Sequence, residues 1–535
     1  MVLQSFFQGG ANVLTGDSTV LGLAVLAAAV LPVVSWWAFR SFVGEKTTLQ
    51  GTRTIHRLKT TLPLLGNTLD MLGNVGRFQE WIYDICKEYR GEPVLITSLG
   101  RPDLLVMCTT EAFEECLKTK FENFPKGPFQ CENLEGILGN GIFAVDHAKW
   151  VHQRKTASNL FTARTIRDGM TKVVRKHTVT LRRMLQRASA TGEQVDLFKL
   201  FNRLTIEAFA EIGFGIEMNC LEAKEEHPFQ TAFDSAQRAL VLRFVRPSWF
   251  WKFQRMLGIG VEGTLQRDTR AIDKTVLDII AKSFEKRQSG AASQRHEGVG
   301  TDIVSLFLDN FENSADSKDN AFDPKYLRDI VVNFLIAGRD TTAQALSWFF
   351  LSISRNPRVV TKIREEIAQV LPGLMDGTIE TPSMEEVQQL TYLEAALKET
   401  LRLYPSVPFT TKAVENDIVL SDGTFIRKGS YIGLPSYSLG RMTHVWGEDA
   451  TEFKPERWID EQGKIHQFPP SKFVAFNAGP RLCLGINLAM MEMKIVVASL
   501  LSQLNVTVLP DLNVTHDFSL TLPVHGELLA TVTKA

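Results

Sequence analysis

The chain has 535 residues, of which 44% are hydrophobic and 22% are charged, a composition typical of folded globular proteins rather than of disordered or collagen-like chains. Lysine and arginine number 59 against 60 acidic residues, and the formal net charge of −1 excludes a chain that binds nucleic acid through overall positive charge. The sequence has no internal repeat and no linker rich in proline, serine and glycine. We therefore predict one folded domain over residues 61–535, preceded by a distinct segment over residues 1–60.

The N-terminal segment contains one uninterrupted apolar run over residues 20–39. Twenty helical residues measure about 30 Å, the thickness of the hydrocarbon core of a bilayer. Basic residues are absent from residues 1–19 but frequent between Arg40 and Lys59, which places the cytosolic side after the run. We predict a single-pass signal anchor over this run, with the folded domain on the cytosolic side of the endoplasmic reticulum membrane. A cleaved signal peptide is the alternative, although it would have a basic start and a shorter apolar core.

Most of the remaining chain reads as helices of twelve or more residues. A turn-rich stretch at 61–67 predicts a hinge after the anchor, and a polar stretch at 288–320 predicts a mobile connection. Short segments predict strands at 92–96, 103–108, 417–420, 423–431 (a hairpin), around 506 and at 528–532. The predicted fold class is mainly α, with small β-sheets at the two ends of the domain.

Trp150 and Arg154 form the first pair of side chains in the chain that could bind a ligand together. Residues four apart lie on the same face of a helix. Both side chains donate hydrogen bonds and suit a carboxylate ligand. An ordinary surface helix is the alternative explanation of this pattern.

A long helix is predicted from Pro324 to Asn356. Asp323 is a good N-cap and proline suits the first helical turn, and the length corresponds to about 50 Å. Gly338 in the helix interior costs about 1 kcal/mol relative to alanine, which indicates that a group such as a porphyrin or bound dioxygen passes close to the backbone.

Asp340 and Thr341 follow in this helix as an acid–alcohol pair. The hydroxyl of Thr341 suits a hydrogen bond to dioxygen, and the carboxyl of Asp340 suits proton relay from water. We predict that these two residues are catalytic. A local kink is the alternative, because threonine hydroxyls also bond back to helix carbonyls.

Further along the chain, Glu399 and Arg402 are three residues apart, so they share a helix face and can form an ion pair. Pairs of this kind are usually solvated and contribute little. A buried network would be weak evidence for stability, and we predict a structural role in holding a scaffold.

Cys483 lies in the stretch Phe476-Asn-Ala-Gly479-Pro-Arg481-Leu-Cys483-Leu-Gly485. Two glycines let backbone approach both a porphyrin and the sulfur, and the arginine suits a porphyrin propionate. A thiolate ligand donates electron density to heme iron and favours O–O cleavage. The alternative is a buried structural cysteine, and the other five cysteines show no metal-binding spacing.

These motifs together resemble the cytochrome P-450 superfamily. The cysteine stretch matches the pattern Phe-x-x-Gly-x-Arg-x-Cys-x-Gly, residues 337–342 match Ala/Gly-Gly-x-Asp/Glu-Thr-Thr/Ser, and Glu399 and Arg402 match Glu-x-x-Arg. The resemblance implies a heme-thiolate monooxygenase with heme b, and Cys483 as the metal ligand. It implies further cofactor contacts from Arg481, Trp150, Arg154, Lys412, Phe476, Gly479 and Gly485. It also implies Arg457 as the third member of the structural network.

Four stretches, at 123–129, 141–146, 403–408 and 440–449, are similar to the fatty-acid and alkane terminal hydroxylases of plants and fungi. The sequence departs from that branch at His147, Ala148, Phe409 and Thr410. The resemblance implies a membrane-bound omega-hydroxylase of fatty acids. The alternative substrates are alkanes, sterols or another lipid. An apolar tunnel is expected for such a chain, with candidate lining residues Phe129, Phe334, Leu335, Pro408, Phe409 and Leu522. Ala337 cannot form the ester to heme that a glutamate forms in related animal enzymes.

Electrons have to come from outside this chain, since the sequence has no Gly-x-Gly-x-x-Gly fingerprint and no flavin module. The expected partners are a diflavin NADPH reductase, dioxygen, a lipophilic small molecule and the lipid bilayer. A heme isomerase or dehydratase that needs no reductase is an alternative within enzymes. A heme-binding sensor or non-catalytic heme protein is the alternative outside them.

Overall fold

The computed structural model describes residues 53–288, 302–312 and 323–535. The prediction of a mainly α fold with small β-sheets is confirmed within these ranges. The predicted anchor at residues 20–39 lies outside them, and no helix inside them combines the length and hydrophobicity needed to cross a membrane.

Helices account for most of the regular structure. In the first half they are α1 (Thr68–Gly73), α2 (Phe78–Glu88), α3 (Thr110–Glu114), α4 (Gly127–Leu138), α5 (His147–Ser158), α6 (Ala163–Thr165), α7 (Thr171–Thr191), α8 (Leu197–Phe214), α9 (Pro228–Val241), α10 (Ser248–Leu257) and α11 (Gly260–Gln288). In the second half they are α12 (Ile303–Glu312), α13 (Pro324–Ser354), α14 (Pro357–Val370), α15 (Pro372–Met375), α16 (Met384–Gln388), α17 (Thr391–Leu403), α18 (Ser436–Leu439), α19 (Thr443–Trp446) and α20 (Ile486–Leu501).

The strands are short and form small sheets. They are β1 (His56–Arg57), β2 (Val94–Ile96), β3 (Leu104–Val106), β4 (Val195–Asp196), β5 (Thr410–Ala413), β6 (Ile418–Val419), β7 (Phe425–Ile426), β8 (Tyr431–Leu434), β9 (Leu504–Val508) and β10 (Leu529–Lys534). The largest sheet has the order β1-β2-β3-β8-β5, and its β3–β8 pair is parallel, with Leu104 opposite Tyr431. The others have the orders β4-β10-β9 and β6-β7.

Three of these strands, β1, β4 and β5, were not expected from the sequence. These three strands have two to four residues. The predicted hairpin at 423–431 is wrong, because β7 pairs with β6, whereas β8 joins β3 and β5 in the largest sheet. The predicted polar connection also differs, because its residues 303–312 form α12. Ile303, Val304 and Phe307 are buried there, so this part of the connection belongs to the packed domain.

Helix α13 crosses the domain as predicted. Its first turn is capped by Asp323, whose carboxylate accepts a hydrogen bond from the backbone N–H of Lys325 (2.9 Å). Its 31 residues correspond to about 46 Å. It ends at Ser354, and Pro357 then begins α14 in agreement with the preference of proline for a first helical turn.

Two large hydrophobic clusters make up the interior. One surrounds α13, α8 and α20, and the other covers the five-stranded sheet. Phe334 and Leu488 of the first cluster and Leu117 and Val474 of the second line one cavity. The cavity therefore lies where the helical part of the domain meets the sheet.

Candidate active site

An internal cavity of about 460 Å³ lies between the middle of α13 and the loop that precedes α20. Helix α13 contributes Phe334 and Thr341 to its wall, and the loop contributes Phe476 and Cys483. Most of the other lining side chains are apolar or aromatic. The volume and the apolar wall are typical of sites that enclose small molecules.

The cysteine loop, residues 476–485, is held in a defined conformation. The backbone N–H of Cys483 donates to Phe476 O (2.9 Å), and the N–H of Gly485 donates to Cys483 Sγ (3.3 Å). Gly479 has a φ of +60°, and a Cβ there would lie 2.0 Å from Leu117 O. Glycine is therefore required at this position by both the backbone conformation and the available space.

The thiol of Cys483 lines the cavity and is accessible through it, although protein surrounds the sulfur closely. Burial raises the pKa of this thiol, and the N–H of Gly485 and the charge of Arg154 act in the opposite direction. Both opposing contacts favour the thiolate form. The loop thus presents one sulfur, with hydrogen-bond support, to the space below α13.

Lys126, Arg154, Lys412 and Arg481 form a cationic cluster on the cavity wall beside the cysteine loop. Arg481 Nη2 donates to Asp146 Oδ1 (2.6 Å), but Arg481 Nε is buried without a hydrogen-bond partner. The Nζ of Lys412 is also buried without a partner. The cluster therefore has positive charge and donors to spare for an anionic ligand.

The pKa values of the cationic cluster reflect this shortage of anions. Burial, followed by repulsion from Arg481, lowers the pKa of Lys126 to about 8. Burial lowers the pKa of Arg481 to about 10 even though Asp146 acts in the opposite direction. Burial also lowers the pKa of Lys412 well below its usual value. A ligand carrying carboxylates would relieve these desolvation costs.

Trp150 joins the cationic cluster, as its spacing with Arg154 suggested. Both residues lie on α5, and the Arg154 guanidinium carbon is 5.9 Å from the centroid of the Trp150 ring. The Arg481 guanidinium carbon is 4.4 Å from the same ring. Arg154 Nη2 also donates to Leu482 O (2.6 Å), which ties α5 to the cysteine loop.

The acid and the alcohol of the α13 motif occupy different surroundings. Thr341 lines the cavity, and its hydroxyl donates to Ala337 O (2.7 Å). Asp340 is buried on the side of α9, where Gln237 Nε2 donates to its Oδ2 (2.8 Å). Arg339 Nη1 donates to the other carboxylate oxygen (3.0 Å). Burial raises the pKa of Asp340 to about 6, although the charge of Arg339 opposes the shift.

Close packing against a neighbouring helix requires glycine at position 338, which the sequence did not suggest. A Cβ at this position would lie 2.0 Å from Cδ2 of Phe209 on α8. Gly338 lines the cavity as well, so its missing side chain serves both the contact between α8 and α13 and the cavity. The prediction considered the cavity side alone.

Glu399, Arg402 and Arg457 meet in a buried network. Two nitrogens of Arg402 donate to the two carboxylate oxygens of Glu399 (2.7 and 2.8 Å), and Arg457 Nε donates to Glu399 Oε1 (2.8 Å). Trp458 Nε1 and the backbone N–H of Lys454 also donate to this carboxylate (both 2.9 Å). The network joins α17 to the segment that follows α19.

The structure divides the candidate lining residues into two groups. Phe334, Pro408 and Phe409 line the cavity. The other three, Phe129, Leu335 and Leu522, lie behind the wall, and here the expectation is corrected. Leu335 and Leu522 are fully buried in the core. Leu335 lies on the side of α13 that packs into the core rather than the cavity, and Thr521 takes the place expected for Leu522.

Phe129 packs behind the wall for a similar reason. Its ring lies against Tyr431 (5.6 Å between centroids) and Phe244 (6.1 Å). The next residue of α4, Gln130, lines the cavity instead. The sequence did not show which face of α4 meets the cavity.

Several polar cavity residues were missed from the sequence. Lys126 belongs to the cationic cluster, whose Arg481 donates to Asp146 just behind the wall, and Ser406 Oγ donates to Thr341 O (2.7 Å). Glu492 on α20 lines the cavity, and burial raises its pKa to about 8. Arg101, in the turn between β2 and β3, lines the cavity too. Lys126, Asp146 and Ser406 lie in stretches similar to the plant and fungal hydroxylases, but that similarity assigned them no role. Glu492 and Arg101 lie in no recognisable motif, so the sequence alone offers no signal for them.

A thiol and a cationic cluster on the wall of an apolar cavity define a protein that binds an anionic cofactor next to a cysteine. The cytochrome P450 family model matches residues 57–526, and the chain belongs to this family. Cytochrome P450 86B1 of Arabidopsis thaliana is 35% identical over 88% of this chain and 85% of the relative. Cytochrome P450 704C1 of Pinus taeda is 35% identical over 82% and 85%. The alkane hydroxylase MAH1 of Arabidopsis thaliana is 30% identical over 88% and 92%.

The protein is thus a cytochrome P450 monooxygenase, and the cofactor of the family is heme held through a cysteine. Its members use dioxygen, electrons from a reductase and lipophilic substrates. The cavity fits this cofactor, because a porphyrin needs a thiol near its iron and cations near its propionates. The accessible sulfur of Cys483 and the unpartnered nitrogens of Lys412 and Arg481 provide both.

Proposed function

We propose that this monooxygenase hydroxylates the terminal carbon of fatty acids. The observation that carries the proposal is the mainly apolar wall of the cavity that contains Cys483. Such a wall suits a hydrocarbon chain, which offers few groups for hydrogen bonding. The similarity to an alkane hydroxylase also supports a linear-chain substrate.

The residues around the cavity would hold the heme in the following way. Cys483 would ligate the iron, and the N–H of Gly485 would hold the sulfur in position. Arg154, Lys412 and Arg481, which line the cavity, would bind the propionates. When bound, a heme with a thiolate ligand activates dioxygen so that one oxygen atom enters a C–H bond.

In this proposal Thr341 and Asp340 carry out different steps of proton transfer. Thr341 Oγ1 lies on the cavity wall and would exchange its bond to Ala337 O for one to water or dioxygen in the cavity. Asp340, with a pKa of about 6, would take up and release protons from the opposite side of α13. Gln237 and Arg339 hold its carboxylate in place.

We also propose that the enzyme lies at the endoplasmic reticulum membrane, anchored by residues 20–39. An exposed apolar patch on the folded domain supports this location, and patches of this type mark interaction surfaces. It comprises two groups of exposed side chains that approach each other where a Cβ on Gly100 would lie 3.9 Å from Cδ1 of Trp249. They are Leu62, Leu64, Leu65, Leu69, Leu72 and Leu99 in one group and Trp249, Phe253, Met256, Leu257 and Ile259 in the other. The patch gives a lipophilic substrate a route from the bilayer.

Electrons would come from a diflavin NADPH reductase in the same membrane. Lys149 and Lys155 are exposed on α5, the helix that contacts the cysteine loop through Arg154. Basic side chains at this position would attract an acidic partner surface and speed its association.

The substrate class can be tested by competition among lipids. The purified enzyme would be incubated with reductase, NADPH and an equimolar mixture of a fatty acid, an alkane of the same chain length and a sterol. We expect the hydroxy fatty acid to be the main product by mass spectrometry. Predominant alkane oxidation would favour the activity named for the relative MAH1, and predominant sterol oxidation would contradict a linear-chain substrate.

A further inference from the structure

Three phenylalanine rings from distant parts of the chain meet on the wall of the cavity. Phe78 is the first residue of α2, Phe409 directly precedes β5, and Phe518 lies between β9 and β10. The centroid of the Phe78 ring is 5.7 Å from that of Phe409 and 5.1 Å from that of Phe518. All three residues line the cavity. We call this set of three rings the aromatic arc.

The ring of Phe409 is held between the sheet and the cavity. A Cβ on Gly433 of β8 would lie 2.5 Å from Cζ of Phe409, so the ring fits closely over the space that this glycine leaves. Three residues earlier, Ser406 Oγ donates to Thr341 O of α13 (2.7 Å). Residues 406–409 therefore run from α13 to the five-stranded sheet, and the Phe409 ring lies at the sheet end of this segment.

The aromatic arc lies between the exposed apolar patch and Cys483. Met71 of α1 lines the cavity and belongs to the hydrophobic cluster that covers the sheet, and Phe409 packs against the same cluster. Helix α1 also carries Leu69 and Leu72, two exposed members of the patch. A lipophilic molecule that enters from the patch past α1 therefore meets the rings before it reaches Cys483.

A polar contact behind the wall fixes the other two rings of the arc. Glu80 is two residues after Phe78, and His516 is two residues before Phe518. His516 Nε2 and Glu80 Oε2 are 2.9 Å apart, and the hydroxyl of Tyr437 donates to the other oxygen of this carboxylate (3.3 Å). These contacts join α2 to the segment before β10, so the two rings keep their separation.

We propose that the aromatic arc admits unbranched hydrocarbon chains to the site near Cys483 and excludes branched ones. Because the rings are held by the sheet on one side and by the contact between Glu80 and His516 on the other, they cannot move aside for a methyl branch without loss of close packing. The inference rests on the proposed function and refines its substrate to straight chains. It also gives a role to Phe409, at which the sequence departs from the plant and fungal hydroxylases.

The test compares dodecanoic acid with farnesanoic acid, which is dodecanoic acid with three methyl branches. Binding to the heme-loaded enzyme would be measured by isothermal titration calorimetry. We expect the wild type to bind the branched acid at least about 10-fold more weakly, since one carbon too many in a tight apolar pocket costs about 10- to 200-fold. Phe409→Ala removes one ring of the arc, and this variant should bind the two acids within about 3-fold of each other.

Phe129→Ala is the matched control. It makes the same substitution at a ring that packs behind the wall against Tyr431 and Phe244, and we expect it to keep the wild-type preference. Phe518→Leu is a second variant of the arc that loses less packing, and it should also reduce the preference. Far-ultraviolet circular dichroism and the visible heme spectrum would show which variants are folded and loaded.

The outcomes separate the aromatic arc from the proposed function. Equal binding of the two acids by the wild type would overturn the arc as a selective element, and so would an equal change of preference in Phe409→Ala and Phe129→Ala. If Phe409→Ala does not fold, an unchanged preference in Phe518→Leu overturns it. The proposed function survives these results when the wild type still oxidises dodecanoic acid, whereas a wild type that neither binds nor oxidises this acid overturns both.

Discussion

Replacing Cys483 with serine is expected to reduce monooxygenase turnover to background. Serine has nearly the same shape, so the loop should keep the Cys483 N–H bond to Phe476 O and the contact with the N–H of Gly485. A hydroxyl does not ionise as a thiol does, and it donates less electron density to iron than a thiolate. The change therefore removes the electronic contribution of the sulfur with little change in the fold.

The reduced carbon monoxide complex reports this change directly. The wild type should show the red-shifted absorption band of a thiolate-ligated heme, and Cys483→Ser should show a band at the position of ordinary heme proteins. Cys131→Ser is a suitable control, because Cys131 lies near the cationic cluster, 3.9 Å from Asp146 Oδ2, and has no proposed contact with iron. A red-shifted band and normal turnover in Cys483→Ser would rule out this cysteine as the ligand.

The second large effect, a loss of folding stability, is expected when Glu399 is replaced. Its carboxylate is fully buried and accepts hydrogen bonds from Arg402, Arg457, Trp458 and the backbone of Lys454. Glu399→Gln keeps the size of the side chain but leaves the buried guanidinium of Arg402 without a counter-ion, whereas Arg457 keeps its ion pair with Asp449 (3.2 Å). Breaking a buried ion pair in this way typically costs about 3–5 kcal/mol. We expect a lower free energy of unfolding and poorer retention of heme.

Asp84→Asn provides the comparison for Glu399→Gln. It breaks the exposed ion pair between Arg77 and Asp84 (2.6 Å), which should cost about 0–1 kcal/mol. Urea unfolding followed by circular dichroism would give both values. Equal, small losses in the two variants would mean that the network around Glu399 does not hold the scaffold together.

Features whose residues lie close together in the sequence could be predicted. The cysteine loop, the ion pair of Glu399 with Arg402 and the capped start of α13 each lie within about ten residues. In these cases the spacing fixes which atoms can meet, because helix and turn geometry are regular. The sequence motif around Cys483 also identified the family whose model matches residues 57–526.

Contacts between distant parts of the chain could not be predicted. Arg481 and Asp146 are 335 residues apart in the sequence, and neither spacing nor composition brings them together. The contact of Phe209 with Gly338 depends in the same way on how α8 crosses α13. Helical periodicity shows that a helix has an apolar side, but not which neighbour that side meets.

The sequence also gave no indication of a functional position where a single residue lies outside any motif. Arg101 stands in an ordinary turn sequence, Leu99-Gly-Arg-Pro102, and a turn arginine is usually solvated. Its burial against Met71 and Phe129 arises from the packing of α1 and α4 around the sheet. The position of this cation on the cavity wall therefore became visible in three dimensions alone.

The central claim is that the enzyme inserts an oxygen atom from dioxygen at the terminal carbon of a fatty acid. The position and source of the oxygen in the product test this claim most directly. The enzyme would be supplied with its reductase, NADPH, a saturated fatty acid and dioxygen enriched in the heavy isotope, and the product would be analysed by mass spectrometry. The account predicts one heavy oxygen atom on the terminal carbon and an intact carboxylate. A hydroxyl group within the chain, or an oxygen atom derived from water, would contradict it.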